Sequence, residues 1–271
     1  MADRSAIEWT DATWNPVTGC TKVSPGCAHC YAEAMTLRFG MGKPFLPGRS
    51  EIKLHADRLQ LPLTWKAHRR IFVNSMSDLF HREVPVAFIR QVFDVMAQGS
   101  QHVFQILTKR HEQLRALAYE LDWPQHVWVG VSVEDQYWAN QRIPSLVTVP
   151  AGVRFLSVEP LLEPVNLRPY LRDLQWVIVG GESGPKARPI SPDWVRRIRD
   201  DCWAAGVPFF FKQWGGRTCK AGGRMLDGRT FDEMPELGRI SAHATRVVPA
   251  DGNDAATANG LTLTPRFGAV G

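Results

Sequence analysis

Three of the five cysteines, Cys20, Cys27 and Cys30, fall in the run T-G-C-T-K-V-S-P-G-C-A-H-C-Y between Thr18 and Tyr31. Their spacing is C-x6-C-x2-C. Gly19, Pro25 and Gly26 lie between or beside them, so the backbone can wrap and aim three thiolates at one point. Three thiolates with no fourth nearby suit a metal centre with one open position. That describes an iron–sulfur cluster with one iron free, or zinc completed by a distant ligand such as His29, His55 or Cys219. A disulfide would leave one thiol over. The polar start Met-Ala-Asp-Arg-Ser-Ala-Ile-Glu has no secretory pattern, which predicts a cytoplasmic setting where structural disulfides are rare. Cluster and zinc both stay open on spacing alone.

A second set of reactive residue types recurs after apolar runs. It comprises Ser75, Ser77 and Asp78; Thr108 and Lys109; Ser132 and Glu134; Ser157 and Glu159; Glu182 and Ser183; Lys212 and Gln213. Some of these positions are ordinary turn chemistry, and Asp135 and Ser191 read as helix N-caps. Three carboxylates at equivalent places, Glu134, Glu159 and Glu182, would crowd negative charge unless Lys109, Lys212 or a cationic ligand offsets it. Gly180-Gly181 lets a ligand approach the backbone closely.

The elements that must position these residues follow from periodicity. Short, nearly continuous apolar runs predict strands at Ala12–Val17, 70–74, 102–107, 127–131, 153–156, 174–179 and 207–211. Between them, helical patterns cover 31–39, 84–98, 111–120 and 136–147, the last interrupted at Pro144. A further helix begins at Pro192 behind Ser191 and closes at Gly206, and 55–68 reads as helical but broken at Pro62. Strands alternating with helices predict right-handed βαβ units and a parallel sheet. Without a G-x-G-x-x-G loop, the pattern predicts a full or partial (β/α) barrel over residues 1–216, with an open doubly wound sheet as the runner-up. Residues 217–271 lose the alternation and read as an irregular cap and a flexible tail. In a parallel barrel the strand ends meet on one face, so the polar set and the cysteine loop share one mouth.

Composition sets outer bounds. The chain has 271 residues, 44% hydrophobic and 22% charged, which is enough for one large core. No apolar run approaches the roughly 20 residues of a membrane span. The net charge of +5 permits an anionic partner without demanding one.

The cysteine loop, the aromatic Tyr31 beside its last thiol and the barrel pattern resemble the radical S-adenosylmethionine superfamily. The first gap is three residues longer than that superfamily's usual C-x3-C-x2-C. Gly19–Glu33, Arg70–His81 and Gln105–Arg110 resemble the branch near spore photoproduct lyase. Over residues 6–235 the chain also resembles a phage-associated three-cysteine-motif family of unknown function. The strings I-E-W-T-D-A-T-W-N-P, I-F-V-N-S-M-S-D-L-F-H, S-V-E-P-L-L, V-I-V-G-G-E-S-G and L-D-G-R-T-F-D-E-M-P carry that likeness. The resemblance implies a [4Fe–4S] cluster held by Cys20, Cys27 and Cys30, S-adenosylmethionine on its free iron, and a 5′-deoxyadenosyl radical. It also implies a reductant protein of flavodoxin or ferredoxin type. On that reading Ser75, Ser77, Asp78, Lys109, Ser132 and Glu134 bind the cofactor, and Glu159, Glu182, Lys212 and Gln213 face the substrate. Cys202 reads as a core thiol.

A nucleotide or nucleic-acid substrate is the expectation for the mouth, with a further protein partner left open. Arg38, Lys43, Arg49, Lys53, Lys109 and Arg110 would hold phosphates, and Trp14, Trp138 or Trp214 would stack on a base. Two other classes remain: a zinc-stabilised nucleic-acid-binding protein and a metal-dependent hydrolase using the carboxylates.

Overall fold

The structure is a computed structural model that describes residues 5–218 and 220–236. In it the apolar runs become strands in chain order. The first is β1 (Ala12–Trp14), followed by a small antiparallel pair, β2 (Val17–Thr18) and β3 (Lys53–Leu54), with helix α1 (Tyr31–Arg38) between them. Then come β4 (Arg70–Val73), α2 (Val86–Gln98), β5 (Val103–Thr108), α3 (His111–Leu117), β6 (Val127–Ser132) and α4 (Gln136–Val147). The last elements are β7 (Val153–Val158), β8 (Trp176–Gly180), α5 (Pro192–Ala205) and β9 (Phe209–Gln213).

Seven strands form one sheet in the order β1-β4-β5-β6-β7-β8-β9, and every pair is parallel. Each strand is added beside its predecessor with no reversal. A doubly wound sheet needs a reversal, so the runner-up architecture is excluded. The sheet curls into a partial barrel whose free edges are β1 and β9.

The period-two pleat sorts side chains to two faces. Phe72, Trp128, Phe155, Trp176, Ile178 and Phe210 turn inward and, with Trp9, fill the barrel's N-terminal half. The opposite parity, including Ile71, Val73, Ile106, Val129 and Val177, packs under the helices. The aromatic plug leaves space only above it, at the C-terminal ends of the strands.

Some boundaries differ from expectation. Residues 55–68 form two short 3-10 turns, Ala56–Arg58 and Leu61–Thr64, because Pro62 donates no amide hydrogen and restricts the residue before it. Helix α4 runs unbroken through Pro144; burial of Ala139, Ile143 and Leu146 outweighs the single lost hydrogen bond. Asp135 caps α4 as expected, its side chain accepting from Trp138 N at 2.8 Å. Ser191 precedes α5 in extended conformation but makes no side-chain cap, and Gly206 ends that helix at φ 67°. Cys202 is fully buried.

Beyond β9 the described chain is irregular. It runs back beside the sheet, with Phe211 N donating to Phe231 O at 2.9 Å. Cys219 and residues 237–271, where sequence reading placed a fourth ligand candidate and a tail, lie outside the described residues. No helix among the described residues is long and apolar enough to cross a membrane.

Candidate functional site

The cysteine loop leaves the small β2–β3 pair and crosses the mouth of the barrel. Its first anchor is at the end of β4. Gly19 pairs with Ser77, and the Ser77 hydroxyl donates to Val17 O at 2.9 Å. Gly19 has φ +87°, and a Cβ there would lie 1.9 Å from the Glu51 carbonyl oxygen, so no other residue fits this bend. Ser77, expected to bind a cofactor, is therefore consumed by the loop.

The second anchor is at the end of β5. One guanidinium nitrogen of Arg110 donates to Thr21 O at 2.8 Å and to Thr21 Oγ1 at 2.7 Å, and lies 3.8 Å from Cys20 Sγ. Asp78 was also expected to bind a cofactor. Its carboxylate instead accepts from Thr108 Oγ1 at 2.7 Å, Lys109 N at 3.0 Å and Phe80 N at 3.1 Å. It is buried and fully occupied in tying the β4 and β5 ends together.

Two carboxylates then grip the turn Pro25–Cys27. Glu134 accepts from Gly26 N at 3.3 Å and from Arg142 at 2.7 Å, and both members of that ion pair are fully buried. Burial lowers the Arg142 guanidinium from its ordinary value, with the neighbouring Glu134 carboxylate opposing that shift. Glu182, at the end of β8, meets His29 Nδ1 at 3.0 Å and Arg188 Nε at 2.8 Å, and Arg188 donates onward to Pro25 O at 2.9 Å. Burial alone would raise the Glu182 carboxyl, but hydrogen bonds from Arg188 and His29 outweigh it and hold the carboxyl at about 2. Glu134, expected to bind a cofactor, does not line the cavity at the mouth, whereas Glu182 does line it while also holding His29 and Arg188. Each bonds the loop directly, Glu134 through Gly26 N and Glu182 through His29.

The remaining expected residues do meet at an open space. A cavity of about 1360 Å³ lies at the mouth, lined by Cys30, Ser75, Lys109, Ser132, Glu159 and Lys212 among others. Glu159 and Lys212 face each other at 2.7 Å, both half-buried. Ser75 exchanges hydrogen bonds with Asn15 at 3.2 Å. Ser132 and Ser157 are register partners on the cavity floor.

The expected tryptophan platform is absent from this space. Trp14 is fully buried, with Nε1 donating to Arg58 O at 2.8 Å. Trp138 lies against Arg142, whose guanidinium carbon is 4.1 Å from the ring centroid. Trp214 packs on Phe211 at 4.6 Å and donates to Met225 O. The exposed aromatic rings lining the cavity are Tyr31 and Phe39, with the buried Trp9 and Phe72 also lining it. Apolar periodicity in so short a helix gave no sign that its face is bare.

Cys20, Cys27 and Cys30 are all free thiols and partly buried. Burial pushes the Cys20 thiol up to about 12, with Asp78 adding to the shift and Arg110 opposing it. Burial raises Cys30 as well, opposed by backbone amides and by Lys109, and Cys27 lies near enough to act electrostatically on both. A raised thiol is a weak nucleophile at neutral pH. Among the described residues no three His, Cys, Asp or Glu side chains are gathered as a site for one ion.

A family model described as a protein of unknown function, DUF5131, matches residues 4–235. The chain belongs to the DUF5131 family. The match spans the cysteine loop, all seven sheet strands and every cavity residue named above. No curated protein and no solved structure matches this DUF5131 chain.

Proposed function

We propose that this DUF5131 protein is an iron–sulfur enzyme of the radical S-adenosylmethionine type. The observation that carries the reading is the cysteine loop's placement: three free thiols on one loop, fastened to four strand ends at the mouth of a parallel partial barrel, with a large cavity against the third thiol.

The donor set fits a [4Fe–4S] cluster in its chemistry. Cys20, Cys27 and Cys30 would hold it, leaving one iron open. Arg110 beside Cys20 and Lys109 near Cys30 supply positive charge against the thiolates. The cluster and S-adenosylmethionine, when bound, supply an electron to split the sulfonium and a carbon radical that removes a hydrogen atom. The chain's own part is placement and exclusion of water. Lys109 lines the cavity, and among the described residues no hydrogen bond or ion pair engages its ammonium, which can take a carboxylate. Ser132 and Ser157 offer hydroxyls from the floor. The Glu159–Lys212 pair faces the same space and can hold a polar substrate group or pass a proton. Ligand pockets commonly measure about 300–1,000 Å³, so this cavity has room for a cofactor and a substrate together.

The test is anaerobic reconstitution of the full chain with iron and sulfide. About four irons per chain and thiolate-to-iron charge-transfer absorption are expected. Cys20→Ala, Cys27→Ala or Cys30→Ala should abolish both, whereas Cys202→Ala should not. Dithionite and S-adenosylmethionine should then yield 5′-deoxyadenosine. Stoichiometric zinc without iron would overturn the reading in favour of a zinc-stabilised protein.

A further inference from the structure

Helix α1 presents an unpartnered apolar face. Ala32 and Thr36 turn into the protein, while Tyr31, Met35 and Phe39, spaced by four on one face, are 49%, 43% and 60% exposed. These three side chains, followed by Met41 and Lys43, line the cavity. The rim therefore offers two ring faces and two thioethers to whatever enters.

Three cations on the chain segment that carries the rim, Arg38, Lys43 and Arg49, have no acidic partner among the described residues. The Arg38 guanidinium lies 5.6 Å from the Phe39 ring centroid. All three cations are exposed. Lys43 lines the cavity; Arg38 and Arg49 are not among its lining residues and flank the rim residues Phe39, Met41 and Lys43 along the chain. On the floor, Ser132 and Ser157 are each only 2% exposed, and among the described residues no hydrogen bond engages their hydroxyls.

The space is thus amphiphilic in a particular order: flat apolar rim, hydroxyl-bearing floor, and cations flanking the rim along the chain. A planar base fits the rim and a sugar fits the floor. A free nucleotide would leave Arg38 and Arg49 unused, because they do not line the cavity. A chain whose phosphates continue past the mouth would meet them. A duplex keeps its base faces covered and gives the rings nothing to stack on. We infer that the cavity takes one nucleotide of a single-stranded nucleic acid, its base against Tyr31, Met35 and Phe39 and its neighbouring phosphates on Arg38, Lys43 and Arg49. The inference treats this cavity as the reacting one, and so rests on the function proposed above.

The test is anisotropy of fluorescein-labelled oligothymidylate and oligoadenylate on the full chain, between about 50 and 200 mM salt. Both should bind, and affinity should fall steeply with salt, with a logarithmic slope of about −2 if three phosphates are contacted. Arg38→Ala, Lys43→Ala and Arg49→Ala combined should flatten that slope. Phe39→Ala should weaken binding by at least about five-fold, the lower end of what a stacked base contributes, and Phe39→Trp should restore it. An oligoglutamate peptide of equal charge should bind far more weakly than either oligonucleotide. No binding at the low end of the salt range, equal binding of the duplex or of oligoglutamate, or an unchanged Phe39→Ala would each overturn the inference. The assay needs no iron. Failure here with a cluster formed on reconstitution removes the substrate class alone, whereas binding without iron uptake removes the radical chemistry alone.

Discussion

Glu134 and Arg142 are both fully buried, and their 2.7 Å contact is the deepest charge pair at the site. Among the described residues Arg142 Nε and Nη2 have no hydrogen-bond partner, and Glu134 is the carboxylate that balances the charge, alongside Ser132 O at 2.7 Å and the Trp138 ring. Glu134→Gln should therefore leave a buried guanidinium uncompensated and cost about 3–5 kcal/mol in denaturant unfolding. Adding Arg142→Met should recover much of the loss; a double variant as unstable as the single one would show that the cost lies elsewhere. Glu182 makes a different prediction, read in pH. Its carboxyl is depressed, from near 4.5 to about 2. Its contribution is then complete above the ordinary carboxylate range and is lost as pH falls toward the folded value. The stability gap between the wild type and Glu182→Gln should hold from neutral pH to about 4.5 and close on further acidification. A gap that stays constant through that window would rule out the ion pair as its source. Sequence placed Glu134, Glu159 and Glu182 at matching strand ends; Glu159 and Glu182 both line the cavity, but Glu182 is also bonded to the loop and Glu134 does not reach the cavity. The loop contacts of Glu134 and Glu182 approach from far along the chain: Gly26 lies 108 residues from Glu134, and Pro25 lies 163 residues from Arg188. Spacing carries no information about a loop's path over that distance.

At the scale of elements, legibility followed length and burial. Strands β4 to β9 are short apolar runs with nearly every residue buried, so each could be read directly. Helix α2 carries a clear apolar stripe through Phe88, Val92 and Met96 and was equally plain. Helix α1 was legible as a helix but not as a rim, since what an apolar face meets is a tertiary fact. Pro144 misled in the other direction. A proline inside a helix costs about 3 kcal/mol in isolation, and on propensity alone α4 should have broken there. Packing of Ile143 and Leu146 on the sheet holds the helix together across it. Pro144→Ala restores an amide donor toward the Asn140 carbonyl. It should stabilise the fold by about 1–3 kcal/mol, with α4 otherwise unchanged. A destabilised variant would mean that the ring itself fills space no alanine can fill.

For the whole molecule, the consecutive strand order was readable because the apolar runs alternate with helices long enough to cross back, except between β7 and β8, where an irregular segment with one 3-10 turn, Leu171–Asp173, makes the crossing. Where the sheet stops was not readable, since closure depends on curl rather than on any local signal. The structure's consequence is mechanical. The cysteine loop bonds to the end of β4 through Ser77, of β5 through Arg110, of β6 through Glu134 and of β8 through Glu182. A metal cluster that binds only the folded loop stabilises it by mass action, and whatever is fastened to the loop shares in that stabilisation. Hydrogen exchange compared before and after reconstitution should therefore slow at residues 18–31 and also at 75–83, 108–111, 132–135 and 181–189. Helices α2 and α5, on the opposite side of the sheet, should exchange as before, because their opening does not require the loop to open. Glu182→Gln should uncouple 181–189 from the rest while leaving the slowing at 75–83 in place. Slowing confined to 18–31 would show that the anchors are incidental contacts. Slowing spread evenly through α2 and α5 would show that the cluster stabilises the fold as one unit rather than through the mouth.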